Sequence, residues 1–197
     1  IRADSARWAD WYQFLPWEDW RSGRPEVIQE YIQPALQDWV RQVRTPQRQK
    51  SRQERQNVAF GDINSAEMDA VLSLERFELL YEVALVEEAV RDACALSKET
   101  PAPTTQMPAH QMGTTMAYDH RRVLATALGR LRGKLAYRPV VFELLPGEFT
   151  LLQLQRVAEA LSGAKLHKQN FRRLVSNADL VEPIGRTTAV GRGRPAE

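Results

Sequence analysis

Apolar residues recur at helical spacing along most of this chain, and the breaks between those runs divide it. Val27, Ile28, Tyr31, Ile32, Leu36, Trp39, Val40 and Val43 form one stripe, predicting a helix that starts at Pro25 and runs to about Arg44. Pro34 inside it implies a kink or a break. Residues 45–57 contain no apolar side chain and read either as a mobile polar linker or as a solvated helical extension. The longest pattern follows, with Met68, Val71, Leu72, Phe77, Leu79, Leu80, Val83, Val86 and Val90 predicting a helix from about Ser65 to Leu96. Asn64 and Glu67 sit at capping spacing at its start. Its length and apolar weight suit a bundle or a dimer interface. A proline-containing stretch, Thr100 to Thr115, then reads as a linker. Beyond it, Val123, Leu124, Ala127, Leu128, Leu131 and Leu135 predict a helix from about Asp119 to Tyr137, and Val140–Leu145 reads as a short strand.

The run from Phe149 to Val175 predicts two helices joined by a tight turn. Thr150 and Gln153 are placed as a capping box, so a helix begins at Leu151, with Leu151, Leu154, Val157, Ala158 and Leu161 on its inner face. Gly163 lies where a left-handed residue ends a helix. From His167 to Val175 helical spacing resumes, Phe171, Leu174 and Val175 facing inward and Lys168, Gln169, Arg172 and Arg173 facing outward. A helix-turn-helix with cations on its second helix is the pattern of a reader of double-stranded DNA.

After that helix, Leu180–Ile184 alternates like a strand, and the chain passes through GRTTAVGRGRP. Arg186, Arg192 and Arg194 there suit a basic wing, in which glycine admits close backbone approach and guanidinium meets phosphate with two hydrogen bonds. A disordered basic tail is the alternative. The pattern as a whole predicts a mainly α chain: a helical region over residues 1–99, a linker at 100–117 and an α+β winged helix-turn-helix domain over 118–197.

Charge follows the same division. Net charge is only +2, yet residues 119–197 hold 14 Lys and Arg against 7 Asp and Glu, while the first 118 hold 13 against 18. A basic module joined to an acidic one suits a nucleic-acid reader tied to a part that stays off DNA, because phosphate neutralisation supplies most non-specific affinity. No apolar run approaches the roughly 18 to 20 residues that cross a bilayer. The single Cys94 excludes an internal disulfide and sits in an apolar helical pattern, as a small buried thiol does. With no signal peptide, this points to the cytoplasm. His110, His120 and His167 have no metal-ligand spacing, and no metal is expected.

Four of five tryptophans, Trp8, Trp11, Trp17 and Trp20, crowd the N-terminus with Tyr12 and Phe14. Such area belongs in a core or a subunit interface, or in an aromatic platform for a base or nucleotide framed by Trp17, Glu18 and Asp19. The spacing does not choose between them.

The stretch from Tyr118 onward, with FELLP, FTLLQLQ and NFRR and the closing GRPAE, resembles the winged-helix part of the Nudix-related transcriptional regulators of NAD metabolism, the NrtR family. The resemblance covers about residues 118–197. It implies a homodimer that reads a palindromic operator through Lys168, Asn170, Arg172 and Arg173, with Arg186, Arg192 and Arg194 in the wing. It also implies a Nudix-fold domain that senses an ADP-ribose-like nucleotide.

The carboxylate pattern of a Nudix box is missing. Gly61 and Glu67 keep its first spacing, but Glu75–Arg76 is reversed and Leu79–Leu80 stand where metal-holding acids are required. We therefore expect no catalytic residues in this chain and no cofactor held by it. The expectation is that a Nudix domain precedes Ile1 or has been lost, and that residues 1–99 are its trailing part or an insertion serving dimerisation. A Nudix hydrolase of ADP-ribose or a related nucleotide, with an accessory winged helix, is the alternative.

Overall fold

The computed structural model describes residues 6–61, 69–96, 112–135, 140–178 and 180–185. Their order is two 3-10 turns (Trp11–Gln13 and Pro16–Glu18), a π turn (Ile28–Ile32) and seven α-helices. These are α1 (Gln33–Arg41), α2 (Pro46–Phe60), α3 (Ser73–Glu82), α4 (Glu87–Leu96), α5 (His120–Leu135), α6 (Leu151–Ser162) and α7 (Lys168–Asn177), with a 3-10 turn at Val140–Leu144 between α5 and α6.

The first predicted helix holds, and the π turn shows how it accommodates Pro34. A proline in the first turn of α1 has no N–H to offer the preceding turn, and the backbone widens instead of breaking, with Gln33 N–H bonding to Ile28 C=O. Ile28, Ile32, Leu36 and Trp39 are buried along its length. Residues 45–57 turn out to be helix, not linker. Pro46 starts α2, and Gln56, Ala59 and Phe60 bury its C-terminal end. Arg52 and Arg55 lie over the Trp39 ring, at 4.4 and 5.3 Å, while Arg55 pairs with Glu82. Side chains from three elements thus hold a helix that has almost no apolar face of its own.

The long helix expected from Ser65 is two helices. Its start falls outside the described residues; Asp69–Leu72 form a turn, and α3 ends where Ala84 takes a left-handed conformation at φ 56°. That break lets Leu79, Leu80, Val86 and Ala89 all reach one core, which a straight helix would spread around its circumference. Val71, expected inside, is exposed. Cys94 on α4 is half-buried rather than enclosed.

α5 packs chiefly on α3. Its inner face differs from the expected stripe: Val123 and Ala127 face outward, and Arg121, Ala125, Leu128, Gly129 and Arg132 are buried. Gly129 sits where an added Cβ would lie 2.6 Å from the Val71 carbonyl oxygen, so the two backbones touch. Val140–Leu144, expected as a strand, is a 3-10 turn closed by Leu145 N–H to Phe142 C=O, with the Phe142 and Phe149 rings 5.8 Å apart. Leu180–Ile184 is likewise not a strand, and no named strand occurs among the described residues. A lone extended segment has no ladder to satisfy its backbone. The helical half of the expected winged fold is therefore present, and its sheet is not seen.

Candidate nucleic-acid interface

The helix-turn-helix is built as the sequence predicts at its ends. Thr150 is the N-cap of α6: its Oγ1 accepts Gln153 N–H at 3.1 Å, and Gln153 Oε1 accepts Thr150 N–H at 2.7 Å. Leu154 and Leu161 are buried, with Leu151, Val157 and Ala158 partly so. Gly163 closes the helix at φ 74°. Glu159 then organises the turn, its carboxylate accepting from Leu166 N–H and from Gln155 Nε2, which also donates to Leu166 C=O. His167 caps α7 through its backbone conformation, without a side-chain hydrogen bond.

On α7, Lys168, Gln169, Asn170 and Arg173 are exposed, and Arg172 is half-buried. Val175 alone is fully buried, with Phe171 beside it; Leu174, expected inside, is 65% exposed. It lines a shallow open cleft of 480 Å³ with Asn170, Arg173, Asn177 and Ala178. A helix held by one side of its surface presents the rest to solvent, and here that surface is mostly cationic and amide. The other candidate residues, Arg186, Arg192 and Arg194, lie outside the described residues.

Against the C-terminal end of α6 lies a buried ion cluster. Glu18, 0% exposed, accepts Arg76 Nε at 2.6 Å and Arg76 Nη2 at 2.8 Å, Ser73 Oγ at 3.1 Å, and Arg132 Nη1. Burial pushes the Glu18 carboxyl up, but the charges and hydrogen bonds of Arg76 and Arg132 outweigh it and hold the group below the usual glutamate range. Arg132 also donates from Nη2 to Glu18 C=O and from Nε to Leu161 C=O. Tyr12 OH donates to Ala160 C=O at 2.7 Å, and Trp20 N–H to Gly163 C=O at 2.7 Å. The Trp-rich segment is thus core: Trp17 is wholly buried and Trp20 nearly so, while Trp8 is exposed. Arg121 is sandwiched by Trp17 and Phe77, 5.4 and 5.7 Å from their ring centres, and ion-paired with Glu88 at 3.3 Å. Burial pushes its guanidinium down, against the pull of Glu88 and Glu87.

Arg121, Ala125, Leu128 and Arg132 share one helix face, and that spacing was the signal available in the sequence for buried arginines. In α3, where a Nudix helix would carry metal-holding acids, Arg76 is consumed by Glu18 and Leu79 and Leu80 are core. Among the described residues, no group of His, Cys, Asp or Glu that could hold a metal converges, and no helix is long and apolar enough to cross a membrane.

Residues 141–197 match the family model of the NrtR DNA-binding winged helix domain. Over 82 residues the chain is 35% identical to the ADPR responsive transcriptional repressor NtrR of Acinetobacter baylyi (strain ATCC 33305 / BD413 / ADP1). That alignment spans 42% of this chain and 32% of the repressor. The chain therefore covers about a third of that relative's length. With its capped α6, left-handed Gly163 and outward-facing α7, the C-terminal part of the chain carries a winged-helix domain of the NrtR type.

Proposed function

We propose that this chain is the DNA-binding region of a transcriptional regulator, a repressor as the relative's name suggests, whose α7 enters the major groove of an operator. The observation that carries the reading is the exposed row Lys168, Gln169, Asn170 and Arg173 on a helix anchored by Val175, within a segment that matches a DNA-binding family model. Arginine and asparagine on such a helix read guanine and adenine edges through paired hydrogen bonds, and lysine neutralises phosphate. The arginines at 186, 192 and 194 would add contacts from the wing. A homodimer would place two α7 helices roughly 34 Å apart on a palindromic site. An ADP-ribose-like nucleotide, acting through a Nudix-type domain elsewhere in the protein, would control occupancy by favouring one dimer geometry.

The test is fluorescence anisotropy with inverted-repeat duplexes from the source genome against scrambled duplex, across a salt series, with and without ADP-ribose. Preference for one repeat that survives physiological salt supports a regulator. A steep salt slope without preference would reduce the cationic face to a non-specific patch and overturn the reading.

A further inference from the structure

The last turn of a helix leaves carbonyl groups with no partner inside the helix, and those of α6 find theirs in distant segments. Ala160 C=O accepts Tyr12 OH, Leu161 C=O accepts Arg132 Nε, and Gly163 C=O, just past the helix, accepts Trp20 N–H. Arg132 is itself locked to Glu18, and Glu18 to Arg76 of α3. There is no room at this junction. A Cβ on Gly163 would lie 2.5 Å from Glu18 C=O and 2.9 Å from Tyr12 OH, besides meeting Arg132. Residues 165–167 lead straight from it into α7, which buries only Val175 completely. Among the described residues, packing under α7 is thus thin, and its orientation is inherited from the end of α6.

We propose that Tyr12, Glu18 and Trp20 are positioning residues for the recognition helix. They fix the end of α6 from the N-terminal segment, and a rearrangement of residues 10–20 reorients α7 and changes DNA affinity without any of them touching DNA. The proposal rests on the DNA-binding reading above, and it supplies the route by which the N-terminal region would govern the reader.

Tyr12→Phe removes the hydroxyl, which donates to Ala160 C=O at 2.7 Å and accepts Arg132 Nη2 at 3.4 Å, and keeps the ring, which packs on Trp11 and under Arg21. Glu18→Gln removes the charge from the cluster and is the more drastic change. In the full chain at 25 °C, Tyr12→Phe should weaken operator binding roughly threefold to tenfold, the range that loss of the Ala160 hydrogen bond allows, the longer one from Arg132 adding little. The salt slope should stay at its wild-type value, because no phosphate contact is lost. Hydrogen exchange of peptides covering residues 163–175 should quicken in the same variant, with exchange in α2 unchanged. A lower melting temperature with unaltered DNA affinity and unaltered exchange over 163–175 would reduce Tyr12 to a stabilising contact and overturn the proposal. If the wild-type chain shows no operator preference, the DNA reading falls, and the exchange measurement still decides whether the N-terminal segment holds α7.

Discussion

Glu18 and Arg132 lie 114 residues apart and form an ion pair in which neither side chain is more than 1% exposed. Arg76 completes the cluster from a third element. Two guanidinium groups share one carboxylate there, so Glu18→Gln leaves buried positive charge with no counter-ion. Loss of one partner from a buried pair costs about 3 to 5 kcal/mol. Urea denaturation should show a loss of that size; a change below about 1 kcal/mol would mean that water reaches the cluster.

The same carboxyl makes stability depend on pH. Its folded pKa lies below the ordinary 4.5, so the native state keeps it ionised where the unfolded chain would protonate it. Its contribution is complete above the unfolded value and is lost as pH falls through the depressed folded one. The stability gap between the wild-type chain and Glu18→Gln should therefore stay flat from about pH 8 to about pH 5 and narrow below that. Paired denaturation curves across that range measure it, and a gap that widened in acid would contradict the assigned direction.

What the sequence revealed and what it hid divide by range. Thr150 with Gln153, and Gly163 after Leu161, act within one helix end, and the structure places them as their chemistry dictates. The partners of Glu18, Arg76 and Arg132 are set by tertiary packing, which rotates α5 away from its apolar stripe so that Val123 is exposed and Arg121 buried while Leu128 stays in the core. The break between α3 and α4 rests on Ala84, a residue type that gives no sign of a left-handed turn. In α2 the sequence leaves linker and helix open because its anchors, Arg52 and Arg55 on Trp39, are polar side chains used for their stems and faces. On α7, Lys168, Gln169 and Arg173 emerge as expected and Asn170 joins them, whereas Arg172, expected outside, is half-buried, and Leu174 shows that a thinly packed helix need not bury every apolar position.

Ala84 offers a stabilising substitution. Its φ of 56° strains any residue with a Cβ, by roughly 1 to 2 kcal/mol, and glycine is free of that strain at the expense of a more mobile unfolded chain. Ala84→Gly should raise the unfolding free energy by about 0.5 to 1 kcal/mol net. Thermal melting of the two proteins side by side would show a higher midpoint for the glycine variant; a lower one would mean that the alanine methyl packs more than its left-handed turn costs.

Gly163 combines the conformational demand with a spatial one. Alanine there meets a positive φ of 74° and a carbonyl oxygen at 2.5 Å, and Glu18 C=O is backbone and cannot swing away. Gly163→Ala should destabilise the chain by more than the roughly 1 to 2 kcal/mol of a left-handed alanine alone. Gly185, at a similar φ of 68° and with nothing within 4 Å of an added Cβ, is the matched control. Chemical denaturation should separate the two variants widely, and equal curves would mean that α6 ends elsewhere in solution.

The exposed cations of α7 should divide by role when they are truncated one at a time. Lys168 stands at the first residue of the helix, and Arg173 stands mid-helix beside Asn170 on the open cleft. A lysine set against phosphate loses affinity equally for all duplexes, and its removal lowers the salt slope by about 0.9. An arginine that reads a base edge loses about 1 to 3 kcal/mol on the operator and far less on scrambled duplex. Lys168→Ala should behave in the first way and Arg173→Ala in the second, read from anisotropy titrations at several salt concentrations. If Arg173→Ala weakened operator and scrambled duplex alike, α7 would be lying along the backbone rather than in the groove, and sequence would have to be read from elsewhere in the chain.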